Sequence, residues 1–460
     1  MRGFSDFSGF CCLNDRILLH AFGKDEGAAA LRYAREAGDA DKDRILVLCD
    51  GEAEEIIEKA QGYVPDTVNI YRAAAFSLVW KNAPAAFSRS LLTDPSVGKK
   101  VTIAFYGSDA YTLEIFKALV STYIEIRHTP CGVKAEKIKY VFFADKGERE
   151  KLKGLPYFSA GKALEEAKGK AGYYELPSQL AEISVKESDD GDCFNNDAFV
   201  WAVVAGGRER AEKVAAELKE KGLEHAVFYA GKKDCGRDGL YEFDASDDCA
   251  GFYLKMLLIA FSRDGLYDSL KGGDPNALLA EKRKKWKEGA KLKVKRDSNL
   301  YAALALRGLL LSLGFDCKEG AKSDIFAFNA VYDDGNPRVT DKDGKVCYDN
   351  AVCAKDSLRT HLAFREHLRW NEYMFACGVG PASKEEHAAR DKNGLLAEGR
   401  HVNVTTWKGL EDYRKVEAKR KGTDEESTDV QRYDFQLADG AADMLASAGY
   451  SITEIRGRKI

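Results

Sequence analysis

The chain has 460 residues, of which 45% are hydrophobic and 31% charged, enough apolar material for the cores of several domains and too much for a disordered or fibrous chain. Its 70 basic and 74 acidic residues leave a net charge of −4, which excludes a protein that coats nucleic acid with its whole surface, though not one with a local basic patch. The 11 cysteines form no CxxC pair and the seven histidines no HExxH, so free thiols are expected rather than a disulfide framework or a structural zinc site.

Residues 1–6 carry no apolar signal core. Strands are expected at 16–22 and 44–49, helices at 26–36 and 53–60, an extended segment at 67–71, and a helix over 76–92 that stops at Asp94-Pro95. A second series opens with a strand at 100–105 and a helix at 111–122. Further strands follow at 123–127, 139–143, 199–204 and 225–229, with a helix at 208–221 before the last. Strands alternating with helices imply parallel sheets covered by helices. The strands are nearly continuous apolar runs, as in sheets buried on both faces. Two Rossmann-like units are therefore expected, residues 1–95 and 96–280, meeting near 94–98; one larger sheet is the alternative. Helical periodicity takes over at 251–270, 300–313 and 358–376, and the Asp- and Gly-rich stretch 332–350 reads as loop or hairpin. The apolar stretches 251–261 and 300–315 are interrupted by Lys255 and Arg307 and fall short of the roughly 20 residues that span a bilayer. A cytoplasmic protein without membrane contact is expected. The fold class is thus α/β, with one or two Rossmann-like parallel-sheet units ahead of a mainly helical module at 281–460.

Four places in this pattern could carry chemistry. Gly107 and Ser108 follow the strand at 100–105 and open a helix, so their backbone N–H groups could hold an anion of an adenine nucleotide or NAD-type ligand. Only one glycine of the GxGxxG fingerprint is present, and an ordinary strand-to-helix turn explains the pattern equally well. Gly206-Gly207 and Gly23 are weaker instances. Asp50 ends the strand at 44–49, where an acid can hold a ribose hydroxyl; as a helix N-cap it needs no ligand. Glu125 and Asp145 pose the same choice. The run 281–296 holds nine Lys and Arg and could meet phosphates, but without a row of stacking aromatics it reads as a solvated face, and nucleic acid is disfavoured as a partner. Lastly, Glu366, Arg369 and Tyr373 share one helical face, with Trp370, Met374 and His367 alongside. An acid, a cation and aromatic rings together suit a planar phosphorylated ligand. Spacing alone allows an amphipathic core helix just as well.

The segment 293–452 resembles the RyR domain, the module repeated in ryanodine receptors and present in bacterial multidomain proteins. The resemblance rests on Arg296-Asp297-Ser298-Asn299, on Arg365-Glu366-His367-Leu368-Arg369-Trp370-Asn371-Glu372-Tyr373-Met374 followed by Gly378, on Arg400-His401 and Trp407-Lys408-Gly409-Leu410, on Arg432-Tyr433-Asp434, and on Ala448-Gly449-Tyr450-Ser451-Ile452. Val402 and Asn403 stand where that family has Pro after the His. Val79-Trp80, Phe87-Ser88-Arg89, 100–107 and Ala110-Tyr111 are similar to a TrkA-N-like Rossmann domain, the usual partner of the module in bacteria. The resemblance implies a non-catalytic sensor of a nucleotide-type ligand (ADP-ribose-like, dinucleotide or cyclic nucleotide) in prokaryotic antiviral defence. It also implies a pocket built from Ser298, Asn299, Glu366, His367, Arg369, Trp370, Tyr373, Arg400, His401 and Trp407, and closure of the module on the Rossmann part when ligand binds. Two rivals stand beside it. One is a nucleotide-processing or NAD(P)-dependent enzyme with His367 and Glu366 as acid and base, and the other is a scaffold using residues 282–296. A homo-oligomer is compatible with each.

Overall fold

The computed structural model describes residues 16–42, 44–60, 62–87, 101–129, 132–187, 194, 199–231, 239–244, 247–269, 293–333, 338–340, 346–348 and 357–455. The expected boundary at 94–98 and the basic run up to 292 lie outside them.

Two parallel sheets form the front. β1 (Ile17–Ala21), β2 (Ile45–Cys49) and β3 (Asp66–Asn69) make a three-stranded sheet in sequential order, with α1 (Lys24–Glu36), α2 (Asp39–Lys42) and α3 (Gly51–Glu58) between them. All five residues of β2 are buried, as an ILVLC run predicts for a central parallel strand. From β3 the chain passes directly into α4 (Ile70–Phe87).

The second sheet has six strands: β4 (Val101–Tyr106), β7 (Ile138–Phe143), β8 (Ala181–Lys186), β9 (Phe199–Val204), β10 (His225–Gly231) and β11 (Leu240–Asp244). They lie in the order β11-β10-β9-β4-β7-β8, and every neighbouring pair is parallel. Counted from β4 within this sheet, the order reads 3-2-1-4-5-6 from the β8 edge, the doubly wound arrangement of a Rossmann-like unit. α5 (Ala110–Val120), α6 (Lys146–Lys153), α7 (Pro156–Ala167) and α8 (Arg208–Glu220) connect its strands. One expectation is corrected: 123–127 is no strand of this sheet. β5 (Ile126–Thr129) pairs antiparallel with β6 (Gly132–Ala135) in a separate hairpin.

The back is mainly helical. α9 (Asp247–Ser269), α10 (Lys293–Ser312), α11 (Ile325–Tyr332), α12 (Leu358–Ala376), α13 (Lys384–Ala389), α14 (Lys392–Ala397), α15 (Trp407–Lys421), α16 (Arg432–Asp439) and α17 (Ala441–Ser447) are accompanied by three two-stranded pairings. These are β12 (Phe315–Glu319) with β17 (Tyr450–Glu454), β13 (Arg338–Thr340) with β14 (Val346–Tyr348), and β15 (Gly380–Pro381) with β16 (Arg400–His401). The β13–β14 hairpin occupies the stretch read as loop or hairpin.

One continuous core joins front and back, running from Leu46 and Phe76 through Phe105, Tyr140 and Trp201 to Tyr301, Tyr373 and Ile452. Tyr301 on α10 is its crossing point. Its ring lies 5.0 Å from Phe76 on α4 and 5.1 Å from Tyr373 on α12. A buried charge cluster lies beside it. Arg72 on α4 donates to both carboxylate oxygens of Glu54 at 3.0 Å and faces Asp297 on α10 at 3.8 Å. Lys293 and Arg296 on α10 pair with Glu58 on α3. The first turns of α10 are thereby fastened to the amino-terminal sheet.

Candidate functional site

Both front-sheet candidates are held by the protein's own side chains. Gly107 has φ +113°, and a Cβ there would stand 2.8 Å from the Ala205 Cβ, so the turns after the two central strands approach closely only with glycine. This is the switch point between β4 and β9, where an open parallel sheet receives its ligands. Here the Glu148 carboxylate accepts from the Ser108 N–H at 3.1 Å and from its hydroxyl at 3.3 Å, and its other oxygen accepts from the Asp145 N–H at 3.1 Å. Asp50 caps α3: one oxygen accepts from the Ala53 N–H and the other from the Gly23 N–H, both at 2.9 Å. Asp145 likewise caps α6.

The carboxyl-terminal half contains a cavity of about 300 Å³. Five of the ten residues expected there line it: Ser298 and Asn299 from α10, His367 and Trp370 from α12, and His401 from β16. Ser357 caps α12 and fixes where it starts, so that 367 and 370 fall on the same flank. His401 meets the Trp370 ring edge-on at 5.2 Å, and His367 lies nearly parallel to it at 6.3 Å.

The other five expected residues are placed elsewhere, and their contacts say why. Glu366 and Arg369 face each other inside the core as a buried pair, Arg369 Nε to Glu366 Oε2 at 2.6 Å, and Arg263 from α9 joins at 3.0 Å. Burial alone would raise the Glu366 pKa, but the two guanidinium groups outweigh it and hold the carboxyl ionised. Tyr373 donates to the Val294 carbonyl at 2.8 Å. Arg400 is spent on the Pro381 carbonyl at 2.9 Å and on Glu386 at 3.1 Å. Trp407 packs edge-on behind His367 at 5.8 Å, supporting the wall without forming it.

The cavity wall also holds Lys295 from the basic run and charged groups that motif reading did not single out for binding, Arg263, Lys392 and Asp434. Asp434 belongs to the Arg432-Tyr433-Asp434 segment and Lys295 to the basic run, so a signal existed for both. Lys392 opens α14, a short helix in a stretch of sequence with no recognisable pattern. Lys295 donates to Asn393, and Lys392 lies 4.5 Å over the Tyr413 ring. Among the described residues neither amine has a carboxylate in salt-bridge range. Burial, with Lys421 and Lys295 adding repulsion and Glu417 opposing, brings Lys392 down to about 8. Burial also lowers Lys295. His401 is pushed down to about 3, by burial first and then by Lys392 and Lys295. Its Nδ1 accepts from the Asn403 N–H at 3.1 Å, which places the proton of the neutral ring on Nε2. His367 Nε2 lies 2.7 Å from the Thr405 carbonyl and so carries a proton.

No family model, curated protein or solved structure matches the chain. Among the described residues no helix is long and apolar enough to cross a membrane, and no group of three His, Cys, Asp or Glu could hold a metal ion. What the cavity can do is therefore read from its wall. It offers the Trp370 indole, two lysines that have no carboxylate in salt-bridge range among the described residues, and the largely buried Asp434 carboxyl group.

Proposed function

We propose that the chain is a non-catalytic sensor of a nucleotide-type small ligand, bound in the cavity of its carboxyl-terminal half. The observation that carries the reading is Trp370 standing in one cavity with Lys295 and Lys392. A base stacked on an indole gains roughly 1–3 kcal/mol, and ammonium groups with no carboxylate in salt-bridge range among the described residues suit a phosphate. A volume of about 300 Å³ is at the small end of ligand sites, which favours a mononucleotide or cyclic nucleotide over a dinucleotide or ADP-ribose-like molecule. The segments that carry the RyR resemblance supply Ser298 and Asn299, His367 and Trp370, His401, Leu410 and Asp434 to the same wall, which supports reading this half as an RyR-like ligand module. A role in prokaryotic defence, implied by that resemblance, would make the ligand a signal nucleotide.

Calorimetric titration of the purified chain with nucleoside monophosphates and cyclic mononucleotides tests the proposal. Binding is expected, with Trp370→Ala and Lys295→Ala each weakening it at least tenfold; affinities unchanged in both variants end it. Nucleotide turnover during incubation, followed by chromatography, would instead favour the enzyme reading.

A further inference from the structure

Charge is unevenly distributed around Trp370. On the side of His401 stand the two lysines, the charged groups that act most on that imidazole. On the side of His367 stands Asp434 from α16, its Oδ2 3.6 Å from His367 Nδ1, with Arg263 also on that side but engaged by Glu366. A separation of 3.6 Å is too long for a hydrogen bond. The Asp434 side chain is 11% exposed and lines the cavity, so a largely buried carboxyl group stands at the hollow; burial raises its pKa, with His367 and Arg263 opposing. Buried acceptors are ordinarily satisfied, and a carboxylate can accept from several donors at once. A ligand that presents an N–H donor at this end and an anion at the other would match both.

We infer that the cavity is selective for nucleoside monophosphates whose base bears an exocyclic amino group, with the phosphate between Lys295 and Lys392, the base on Trp370, and the amino group donating to Asp434. This rests on the nucleotide reading above and adds which edge of the base is recognised. Adenine and cytosine carry an amino group where hypoxanthine and uracil carry a carbonyl oxygen. A carbonyl placed there would set two acceptors against each other, and a site built to receive a donor discriminates against the analogue that lacks it.

The test is calorimetry on the full chain with two matched pairs, AMP against IMP and CMP against UMP. The expected result is that the amino member of at least one pair binds at least tenfold more tightly than its oxo counterpart. In Asp434→Asn the preference should vanish or invert, while Lys392→Ala should weaken all four ligands and keep the preference. Equal affinities within both pairs of the wild-type chain overturn the inference and leave the nucleotide reading standing. A preference for IMP and UMP overturns it too, since Asp434 would then be protonated and donating. If none of the four binds, the nucleotide reading itself fails and the selectivity with it. The wild-type comparison decides the matter even if Asp434→Asn does not fold.

Discussion

If the proposed phosphate site is right, Lys392 is the residue whose ionisation governs it most directly. Its amine titrates near 8, so it is charged below that pH and neutral above it. Affinity for a phosphate is therefore expected to hold at about pH 7 and to fall between about pH 7 and about pH 9, as the proton that attracts the ligand is lost. Lys392→Arg, which stays charged throughout, should remove the step; titrations across that range with both proteins check it. His401, pushed down to about 3, is neutral over the same range and adds no step of its own. At this scale the sequence was a partial guide. Five of the expected residues line the cavity, but Arg369 and Arg400 are partners of Glu366 and Glu386. Helical spacing places side chains on a flank and says nothing about which acid waits there. The cations that line the wall come from α9, α10 and α14, far apart in the chain, and only folding brings them together.

Among the elements, α12 carries the site on one flank and a second ionisable feature on another. Glu372 is buried at the contact of α12 with α7 and β8, where it accepts from the Tyr157 hydroxyl and from the Leu180 N–H, each at 2.7 Å, with Tyr140 close by. Burial outweighs these hydrogen bonds and raises its pKa to about 7. The folded chain thus holds this proton more tightly than the unfolded chain. Stability is full below the ordinary carboxyl range and falls as pH rises through about 7, by roughly 3 kcal/mol for this group. Thermal melts should show the loss between about pH 5 and about pH 8, and Glu372→Gln should flatten it; an identical slope in the variant would clear Glu372 of any part. Elements with strong patterns were legible from sequence. β2, β4 and β9 are continuous apolar runs, and α12 begins and ends where its periodicity does. β8 and β11 escaped notice because AEISVK and LYEFD mix apolar and charged residues, as strands at the two edges of a sheet do. The 123–127 stretch looked like a sheet strand because it holds Tyr123, Ile124 and Ile126; these three side chains are buried in the main core, the first two ahead of the β5–β6 hairpin and the third at its first residue.

For the molecule as a whole, the continuous core predicts that front and back melt together. Tyr301→Ala removes a fully buried ring between α4 and α12 and should cost about 3–5 kcal/mol. Arg72→Met would leave Glu54 and Asp297 short of a counter-charge and should cost about as much. Denaturant unfolding should give a single transition in each variant, shifted to lower denaturant, with circular dichroism and tryptophan fluorescence coinciding; two separated transitions would show that the halves are independent. The order of the six-stranded sheet was not readable from the alternation of strands and helices, because the pattern specifies parallel pairing without saying which strand lies beside which. A last consequence belongs to α10. Lys295, Ser298 and Asn299 look into the hollow, while Lys293, Arg296 and Asp297, interleaved with them, grip Glu58 and Arg72. If the proposed ligand binds there, a pull on one side of this rod would load the ionic bolts on the other, so the amino-terminal sheet would feel an occupant it never touches.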